Sequence, residues 1–507
     1  MRSAIAAARR CGAACNQASR RPITGLDVRQ GLCAAFARRR LSARGAGLAT
    51  FVVAVLISAP ASAETISAAL GKAYLNNPDI NQQRAAVRAS DENIPKANAG
   101  YLPQINGQAS YGFDSTSFSV PNGSGVPVAA GGSGTVVSHP GLVGVTINQN
   151  IWNGNRTING VRQAESGVLA SRETLRNTEQ NVLLDAVTFY MNVMRDSAIL
   201  DLNRANVEVL KEQLRQTQDR FNVGEVTKTD VAQAQASLAG AQAQALSAES
   251  TLQTSIANYR RTIGDQPKNL APVRPLDRVL PKNLKDAIAI SQVEHPAIVG
   301  ALHGVDAAQL NVKVVEGALL PTLSVQAQFN QEWDATSVVE LPNRVFNTTV
   351  LGVLTVPIFQ GGSEYASARQ AKEQLGQQEL QADLQRDTVR AAVVSAWWLL
   401  DVSPAVIKSS KAQVDAAAVA LEGVREEAKV GQRTTLDVLN AQQALLSARE
   451  QLISAQHDQV VASYGLLSAV GRLSTTNLGV AVAQYDPRVH FDQVKDKWFG
   501  LRTPDGK

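Results

Sequence analysis

The sequence predicts an α+β membrane protein in which amphipathic strands form a shared β-barrel and long helices form a coiled-coil tunnel. Three observations support this fold class: an internal duplication, paired strands with one apolar and one polar face, and helices of about 65 residues. Aromatic residues make up only 5% of the chain, while Ala is abundant. This composition suits long helices packed closely together better than a thick globular core.

The duplication is clearest in the motif Val-Gly-x-x-Thr-x-x-Asp-Val, which occurs at 223–231 and again at 430–438. The two copies are 207 residues apart. Each copy lies between two segments with helical periodicity, so each predicts the tip of a long helical hairpin. The predicted turn and N-cap residues of the two tips are Gly224, Thr227, Gly431 and Thr434.

Residues 1–63 predict a secretory signal peptide. Several Arg residues precede an apolar run at 48–57, which is shorter than the ~20 residues of a membrane-spanning helix and is followed by a small-x-small cleavage pattern at 61–63. We expect the mature chain to begin near Glu64 and the true start codon to lie downstream of Met1. A single transmembrane anchor is the alternative. We expect no later helix to span a membrane.

The charge balance argues against a nucleic-acid partner. The formal net charge is +5, but residues 1–63 hold ten Arg, no Lys and one acid, and the remainder has 39 basic and 43 acidic residues. The basic character therefore belongs to the leader. All three cysteines also lie in the leader, which suits an oxidising periplasm without a disulfide framework.

The first repeat covers residues 64–282 and starts with a helical segment at 65–98. Two strands follow in which apolar and polar residues alternate, near 104–113 and 143–151. The stretch between them, 114–141, is rich in Gly, Ser, Pro and Val and predicts a long loop.

A long helical hairpin completes the first repeat. Its first helix begins near Arg156 and, at about 1.5 Å per residue, would extend about 100 Å. Residues spaced three and four apart in this helix predict coiled-coil packing. They are Val207, Leu210, Leu214, Thr217 and Phe221. The second helix is rich in Ala, ends near Ile263 and is followed by a Pro-rich linker.

The second repeat, 283–471, has the same order of elements. Its strands are predicted near 323–330 and 348–358, and a shorter loop joins them. The coiled-coil positions carry over as Val414, Ala417, Leu421, Val424 and Ala428. Pro404 interrupts the pattern of the long helix, so we expect a kink or a break there. The C-terminal tail covers 472–507, and its Pro-containing part after Leu478 predicts no more than a surface segment.

Four strands cannot close a barrel, and open sheet edges are not tolerated in lipid. Several chains must therefore combine their strands. Three chains would supply twelve, an even number within the range of outer-membrane barrels. The apolar faces would contact lipid and the polar faces a water-filled lumen. A soluble protein with two β-hairpins packed on a helical bundle is the alternative that the strand pattern alone leaves open.

These features, with the segment Arg-Phe-Asn-Val-Gly at 220–224 and Gly-x-Leu-Pro before the first strand, resemble the TolC family of outer-membrane channels over residues 65–478. The resemblance implies a homotrimer with a twelve-stranded barrel in the outer membrane of a Gram-negative bacterium and a helical tunnel in the periplasm. It implies an export channel for proteins or small molecules, without a cofactor and without enzyme activity. Its implied partners are a periplasmic adaptor, an inner-membrane ABC or proton-driven transporter, and outer-membrane lipid.

The resemblance also implies a constriction at the hairpin tips, where charged side chains gate the pore. The matching residues are Thr229 and Asp230 in the first hairpin and Arg433 and Asp437 in the second. Asn440 and Ala428 stand where the family has a further acid and a tyrosine. Thr-x-x-Asp also fits a helix-capping box at both tips, and capping can coexist with a ring of charge in a trimer. We expect the second tip to be the better candidate for gating and the first to be mainly a capped turn.

No catalytic constellation is present in the sequence. The five histidines are scattered without metal-ligand spacing, and the Gly- and Ser-rich segments lack the strand-turn-helix frame of a phosphate loop or a nucleophile elbow. The second function considered is a secreted periplasmic coiled-coil adaptor or scaffold without a pore. Such proteins usually carry one hairpin, whereas this chain has two. A hydrolase is a distant third.

Overall fold

A computed structural model of the chain describes residues 63–118, 134–334, 344–504 and 506. Residues 1–62 of the predicted signal peptide lie outside the described residues. The elements of the first repeat are α1 Ile66–Asn76, α2 Pro78–Asp91, α3 Asn93–Asn98, β1 Gln104–Tyr111, β2 Asp114–Phe118, β3 Gly134–Ser138, β4 Gly141–Trp152, α4 Arg156–Asn222 and α5 Lys228–Ile263. Those of the second repeat are α6 Leu284–Glu294, α7 Pro296–Glu316, β5 Thr322–Trp333, β6 Arg344–Thr355, α8 Ser363–Lys429 and α9 Thr435–Val470. The tail contains α10, Pro487–Val494.

The two helical hairpins are equal in length, as the duplication predicts. The long helices α4 and α8 each have 67 residues, and the return helices α5 and α9 each have 36. At about 1.5 Å per residue, α4 and α8 each extend about 100 Å. Both return helices end at a glycine with positive φ, Gly264 at +97° and Gly471 at +91°. A side chain at Gly471 would also meet the backbone of His295, so only glycine fits there.

The helical segment that opens each repeat is divided by a cap and a proline, between α1 and α2 in the first repeat and between α6 and α7 in the second. Asn77 caps α2 by accepting a hydrogen bond from the amide of Asp79 at 2.8 Å, and Pro78 occupies the first helical position. In the second repeat the Nδ1 atom of His295 accepts from the amide of Ala297 at 3.2 Å, again followed by a proline. The two repeats thus use different side chains for the same N-cap.

Four strands form one antiparallel sheet in the order β1-β4-β5-β6. Paired residues place an apolar row across all four strands, and the next row is polar. The apolar row is Ile105, Ile147, Ala327 and Val350, and the polar row is Asn106, Thr146, Gln328 and Thr349. Directly opposite residues point to the same face of an antiparallel sheet, so the predicted two-sided strands are confirmed. β1 and β6 are the edges of the sheet within one chain.

The prediction of one long loop over 114–141 is wrong at both ends of that range. Residues 114–118 and 134–138 form β2 and β3, which pair as a separate antiparallel ribbon with Asp114 opposite Ser138. Thr and Ser alternate along β2, and Thr and Val lie in β3, residues that suit an extended backbone better than the Gly content of the stretch suggested. The middle of the predicted loop, 119–133, lies outside the described residues.

The fourth strand is shifted from its predicted position. β6 runs over Arg344–Thr355 rather than 348–358. It ends earlier because Pro357 has no N–H to donate to a sheet, and it begins earlier because β5 extends to Trp333, which pairs with Arg344. The register between β4 and β5 also shifts between Asn150 and Trp152, so that Trp152 stands opposite Leu323.

The long helix α8 continues without a break through Pro404. A proline at this position cannot donate a hydrogen bond to the carbonyl of Leu400, four residues earlier. The hydroxyl of Ser403 donates to that carbonyl instead, at 2.8 Å. The expected break is therefore wrong, and the neighbouring serine supplies the missing bond.

The coiled-coil positions pack as predicted over most of the hairpins. Val207, Leu210 and Thr217 on α4 are buried, and Val207 and Leu210 form a cluster with Ala241 of α5 and Leu439 of α9. Phe221, close to the tip, is 37% exposed. In the second hairpin Leu421 is buried, and the remaining predicted positions pack around its cluster with α9.

One helix in the described part of the chain, α8, is long and apolar enough to cross a membrane by length and composition, contrary to expectation. Its apolar residues serve two packing surfaces. Val389 and Val393 are buried against α6 and α9. On another face, Trp398, Val402 and Val406 follow one another at intervals of four residues and are about half exposed in the protomer. Such a stripe suits a contact with the helix of a neighbouring chain.

The tail after α9 is docked on the first repeat and is not the simple surface segment that was predicted. Leu473 and Val494 are fully buried. The Nδ1 atom of His490 lies 2.9 Å from a carboxylate oxygen of Asp91, which is also fully buried. Arg172 of α4 lies 3.6 Å from the other oxygen of Asp91. These contacts fix α10 beside α2 and α4, near the sheet.

Candidate functional site at the hairpin tips

Each hairpin reverses direction at a glycine. Gly224 has φ +80° and Gly431 has φ +81°. The amide of Gly224 donates to the carbonyl of Phe221 at 3.0 Å, and that of Gly431 donates to Ala428 at 3.2 Å. A Cβ atom at either glycine would meet nothing within 4 Å, so the positive φ, and not lack of space, requires glycine.

A complete capping box follows each turn. In the first tip the amide of Asp230 donates to the Thr227 hydroxyl oxygen at 3.3 Å, and the Thr227 amide donates to the Asp230 carboxylate at 2.9 Å. In the second tip the corresponding distances for Thr434 and Asp437 are 3.2 and 3.0 Å. The first tip is thus the capped turn that was expected, and the second tip has the same box. That the second tip is the better candidate for gating stays a prediction.

Both tip carboxylates are held in the ionised form. Hydrogen bonds from the hydroxyl and then the amide of Thr227 lower the pKa of Asp230. For Asp437, the amide of Thr434 contributes most to the lowered pKa, followed by the hydroxyl. These bonds favour the charged carboxylate, so each chain presents two fixed negative charges at its tips near neutral pH.

Each tip also contains an Arg–Glu ion pair, and the orientation of the pair is reversed between the two tips. In the first tip Arg220, near the end of α4, contacts Glu225 of the turn at 3.0 Å. In the second tip Glu427, near the end of α8, contacts Arg433 of the turn at 2.8 Å. Arg220 and Glu427 occupy equivalent positions of the duplication, 207 residues apart.

Sequence reasoning named Arg433 but missed its partner Glu427 and the whole first pair. Comparing the two copies residue by residue shows the change from Arg220 to Glu427, but not the pairs, because Glu225 aligns with Gln432 and Arg433 aligns with Val226. The four predicted gating residues lie on two separate tips, and the bonds described above join Asp230, Arg433 and Asp437 to their own hairpin. Thr229 is exposed in the first turn of α5.

Polar side chains join the two hairpins above the tips. The amide of Gln442 on α9 donates to the Asn206 side chain on α4 at 3.3 Å, and Arg425 of α8 donates to Gln442 at 3.2 Å. Closer to the sheet, buried Asn203 donates to Glu450 at 2.9 Å. Asn440 is exposed and lines a groove of about 540 Å³ between α4, α5 and α9. Sequence patterns could not predict these hydrogen bonds, because the bonds depend on how the two hairpins pack against each other.

Within the described ranges, no group of three or more His, Cys, Asp or Glu side chains could hold a metal ion. The protomer instead combines an amphipathic sheet with open edges, two helical hairpins based on 67-residue helices, and ionised carboxylates at the hairpin tips. These features define a class of outer-membrane channel in which several chains share one barrel and their helices form one tunnel.

A model of the family described as "Outer membrane efflux protein" matches residues 69–265 and 288–472, one segment in each repeat. The chain belongs to the outer membrane efflux protein family. It is 43% identical to the outer membrane efflux protein BepC of Brucella suis over 454 residues, which are 89% of this chain and 95% of BepC. It is 24% identical to the outer membrane protein TolC of Escherichia coli, over 83% of this chain and 85% of TolC.

The solved structures agree with the family. The Campylobacter jejuni CmeC outer membrane channel matches 85% of this chain and 89% of its own, with a TM-score of 0.70 and 18% sequence identity. The predicted trimer, with four strands from each chain in one barrel and a helical periplasmic tunnel, is confirmed. The protein is an export channel of the Gram-negative outer membrane, and the alternative of a periplasmic adaptor without a pore is wrong. These relatives and solved structures are described as outer-membrane proteins and channels.

Replacing Thr434 by Ala should loosen the start of α9. The substitution removes the acceptor for the Asp437 amide, and loss of an N-cap costs about 0.5–2 kcal/mol. Hydrogen exchange of the amides at 435–438 should become faster. Thr435→Ala, one residue further on and outside the capping box, should leave that exchange unchanged.

The same substitution should change the response of the tip to acid. The lowered pKa of Asp437 means that its contribution to stability is present above the unfolded pKa of about 3.9 and is lost as the pH falls through the lower folded value. Thr434→Ala removes the hydroxyl that helps to lower the pKa of Asp437. The stabilisation by Asp437 should therefore be lost at a higher pH in the variant than in the wild type. Identical exchange profiles in wild type and variant between pH 3 and 5 (roughly the range in which free carboxyl groups titrate) would contradict the capping role.

Proposed function

We propose that the six hairpin tips of the trimer form the gate at the periplasmic end of the export channel. Asp437 and Asp230 form rings of negative charge, and Arg433 and Thr229 are the contacts that close the mouth. The observation that carries the proposal is the fixed, ionised carboxylate at the same position of both tips. A threefold axis repeats each carboxylate three times around the pore, and rings of carboxylates favour cations.

The ion pairs of the tips suit a gate that opens at low cost. Arg433 and Glu427 are both about half exposed, and such surface pairs contribute about 0–1 kcal/mol. Arg433 can therefore exchange its partner within the chain for one on a neighbouring chain without a large penalty. Docking of an adaptor and a transporter would then shift the tips outward by small differences in contact energy.

The proposed cargo is inferred from the family of the chain and not from the residues of the hairpin tips. We propose small-molecule efflux, because the relative with 43% identity over 89% of the chain bears the name outer membrane efflux protein. The matching transporter class is the proton-driven pump, and an ABC transporter is the alternative that would indicate protein secretion. Outer-membrane lipid contacts the apolar row of the sheet, and the two repeats at 64–282 and 283–471 are the structural units that build the pore.

Deleting the gene should sensitise the bacterium to dyes, detergents and antibiotics, because the route across the outer membrane is lost. The measurements are minimal inhibitory concentrations and the secreted protein profile of the deletion strain. The control is the deletion strain carrying the wild-type gene. Loss of secreted proteins with unchanged susceptibility would point to protein secretion and contradict the proposed cargo.

Asp437→Asn should lower the cation preference of the channel in planar bilayers by a factor of about two to five. Asparagine keeps an oxygen that can accept from the Thr434 amide, so the charge is lost while the cap is preserved. In the wild type the preference should persist as the pH falls through the ordinary carboxyl range near 3.9, because the pKa of Asp437 is lowered.

Asp230→Asn is the matched variant in the first tip. A larger effect of Asp437→Asn assigns the narrower ring to the second hairpin, and a larger effect of Asp230→Asn assigns it to the first. Unchanged selectivity in both variants would rule out the carboxylate rings.

Arg433→Ala should raise single-channel conductance and increase leakage of large antibiotics through the resting channel, because it removes a closing contact. Glu427→Ala tests whether that contact is made between chains. Glu427→Ala removes the partner of Arg433 on the same chain. If Arg433 closes the mouth by contacting the tip of a neighbouring chain, the conductance of this variant should stay low. Equal increases in the two variants would show that the pair acts only within its own hairpin, and no change in Arg433→Ala would place the closure elsewhere.

A further inference from the structure

The C-terminal tail ends in a turn that presents three large apolar side chains to solvent. Trp498, Phe499 and Leu501 are 81%, 84% and 103% exposed in the protomer. Gly500, at φ +109°, allows the chain to reverse, and the side chain of Lys497 closes the turn by donating a hydrogen bond to a backbone carbonyl beyond it. The turn is thus held in shape while most of the surface of its three apolar side chains is exposed to solvent.

The turn lies beside the start of the barrel. α10 is docked on α2, and just after it the side-chain amide of Asn98 donates to the carbonyl of Lys495 at 3.3 Å. The turn and residues 92–102 line one groove of about 550 Å³. Leu102, at the end of this groove, is two residues before β1 begins at Gln104. The exposed turn is therefore at the rim where the helices meet the sheet.

Other aromatic side chains are exposed at the same rim. Tyr101 precedes β1, Trp152 ends β4 and Phe359 follows β6, and their exposed fractions are 51%, 39% and 80%. All three stand at the strand ends that lead to helices, which is the periplasmic end of the barrel. Aromatic residues at this level are typical of the belts that mark a membrane–water interface.

We propose that the turn at 498–501 inserts into the periplasmic leaflet of the outer membrane and anchors the tail there. Trp and Phe prefer the boundary between headgroups and acyl chains. Lys497 and Arg502 flank the turn on both sides, where cationic side chains can meet lipid phosphates. The partner is the phospholipid of the periplasmic leaflet. The turn lies at the same level as the aromatic belt of the barrel, and the barrel spans that leaflet.

This anchor rests on the proposed lipid contact of the barrel and is independent of the proposed gate. It would place the apolar side chains about 5–10 Å below the headgroup surface. With three chains in the trimer, three such turns would fix the height of the barrel in the membrane. They would also resist the pull of transporters that dock at the far end of the tunnel.

Single-cysteine labelling of the full trimer tests the proposal, since residues 64–507 contain no cysteine. Phe499→Cys carries an environment-sensitive nitrobenzoxadiazole label in nanodiscs of phosphatidylethanolamine and phosphatidylglycerol. Aqueous iodide and a lipid with a nitroxide near its headgroup are the two quenchers. The lipid nitroxide should quench the label, and iodide quenching should be at least about threefold weaker than for a label in water.

Two matched positions separate the outcomes. Val419→Cys, 74% exposed on α8, should be quenched by iodide and not by the lipid nitroxide. Val350→Cys, 63% exposed in the apolar row of the sheet, should be protected from iodide by lipid. Iodide quenching at Phe499 with protection at Val350 would overturn the anchor alone, and loss of protection at Val350 would overturn the lipid contact of the barrel itself. Protection of Phe499 from both quenchers would show that another copy of the chain covers the turn, which would also overturn the anchor.

Discussion

The hydrocarbon core of a bilayer offers no hydrogen-bond partner to a backbone amide or carbonyl, and the rest of this structure depends on that constraint. One chain supplies four strands and leaves β1 and β6 as edges. The unpaired backbone N–H and C=O groups of these two strands can form hydrogen bonds only with the edge strands of neighbouring chains. The closed barrel therefore exists only in the assembly. A channel built this way has no closed barrel in the isolated protomer. Membrane insertion is therefore coupled to oligomerisation.

The barrel also determines where the tips meet. All strand ends on one rim lead into helices, and the exits from β4 and β6 start long helices of equal length, 67 residues each. Helices that start at one level and have the same length end at one level. The tips of both hairpins can thus share one ring although the two repeats have diverged widely in sequence. The equality of length is what the duplication has preserved.

Sequence patterns predicted the parts of the fold that are encoded locally. The tip turns need a glycine with positive φ, and Thr-x-x-Asp specifies a capping box, so Gly224 and Gly431 could be placed without a structure. The docked tail could not be predicted, because its contact between Asp91 and His490 spans 399 residues. The uninterrupted helix at Pro404 depends on one rotamer of Ser403. At the tips, the sequence was enough to name the candidate gating residues. The two ion pairs could be found only from the geometry of the turns.

The capping box would also stabilise the proposed ring of charge. Six carboxylates gathered around one axis repel one another, which would favour an open mouth or protonation. Here each carboxylate accepts hydrogen bonds from a threonine at the N-terminus of a helix, where the helix dipole contributes about half a positive charge. Part of each negative charge is therefore balanced in place, and the caps hold the side chains in fixed positions. In the proposed gate, the same bonds that begin α5 and α9 would lower the repulsion within the ring, so helix capping and charge selection would act together at this site.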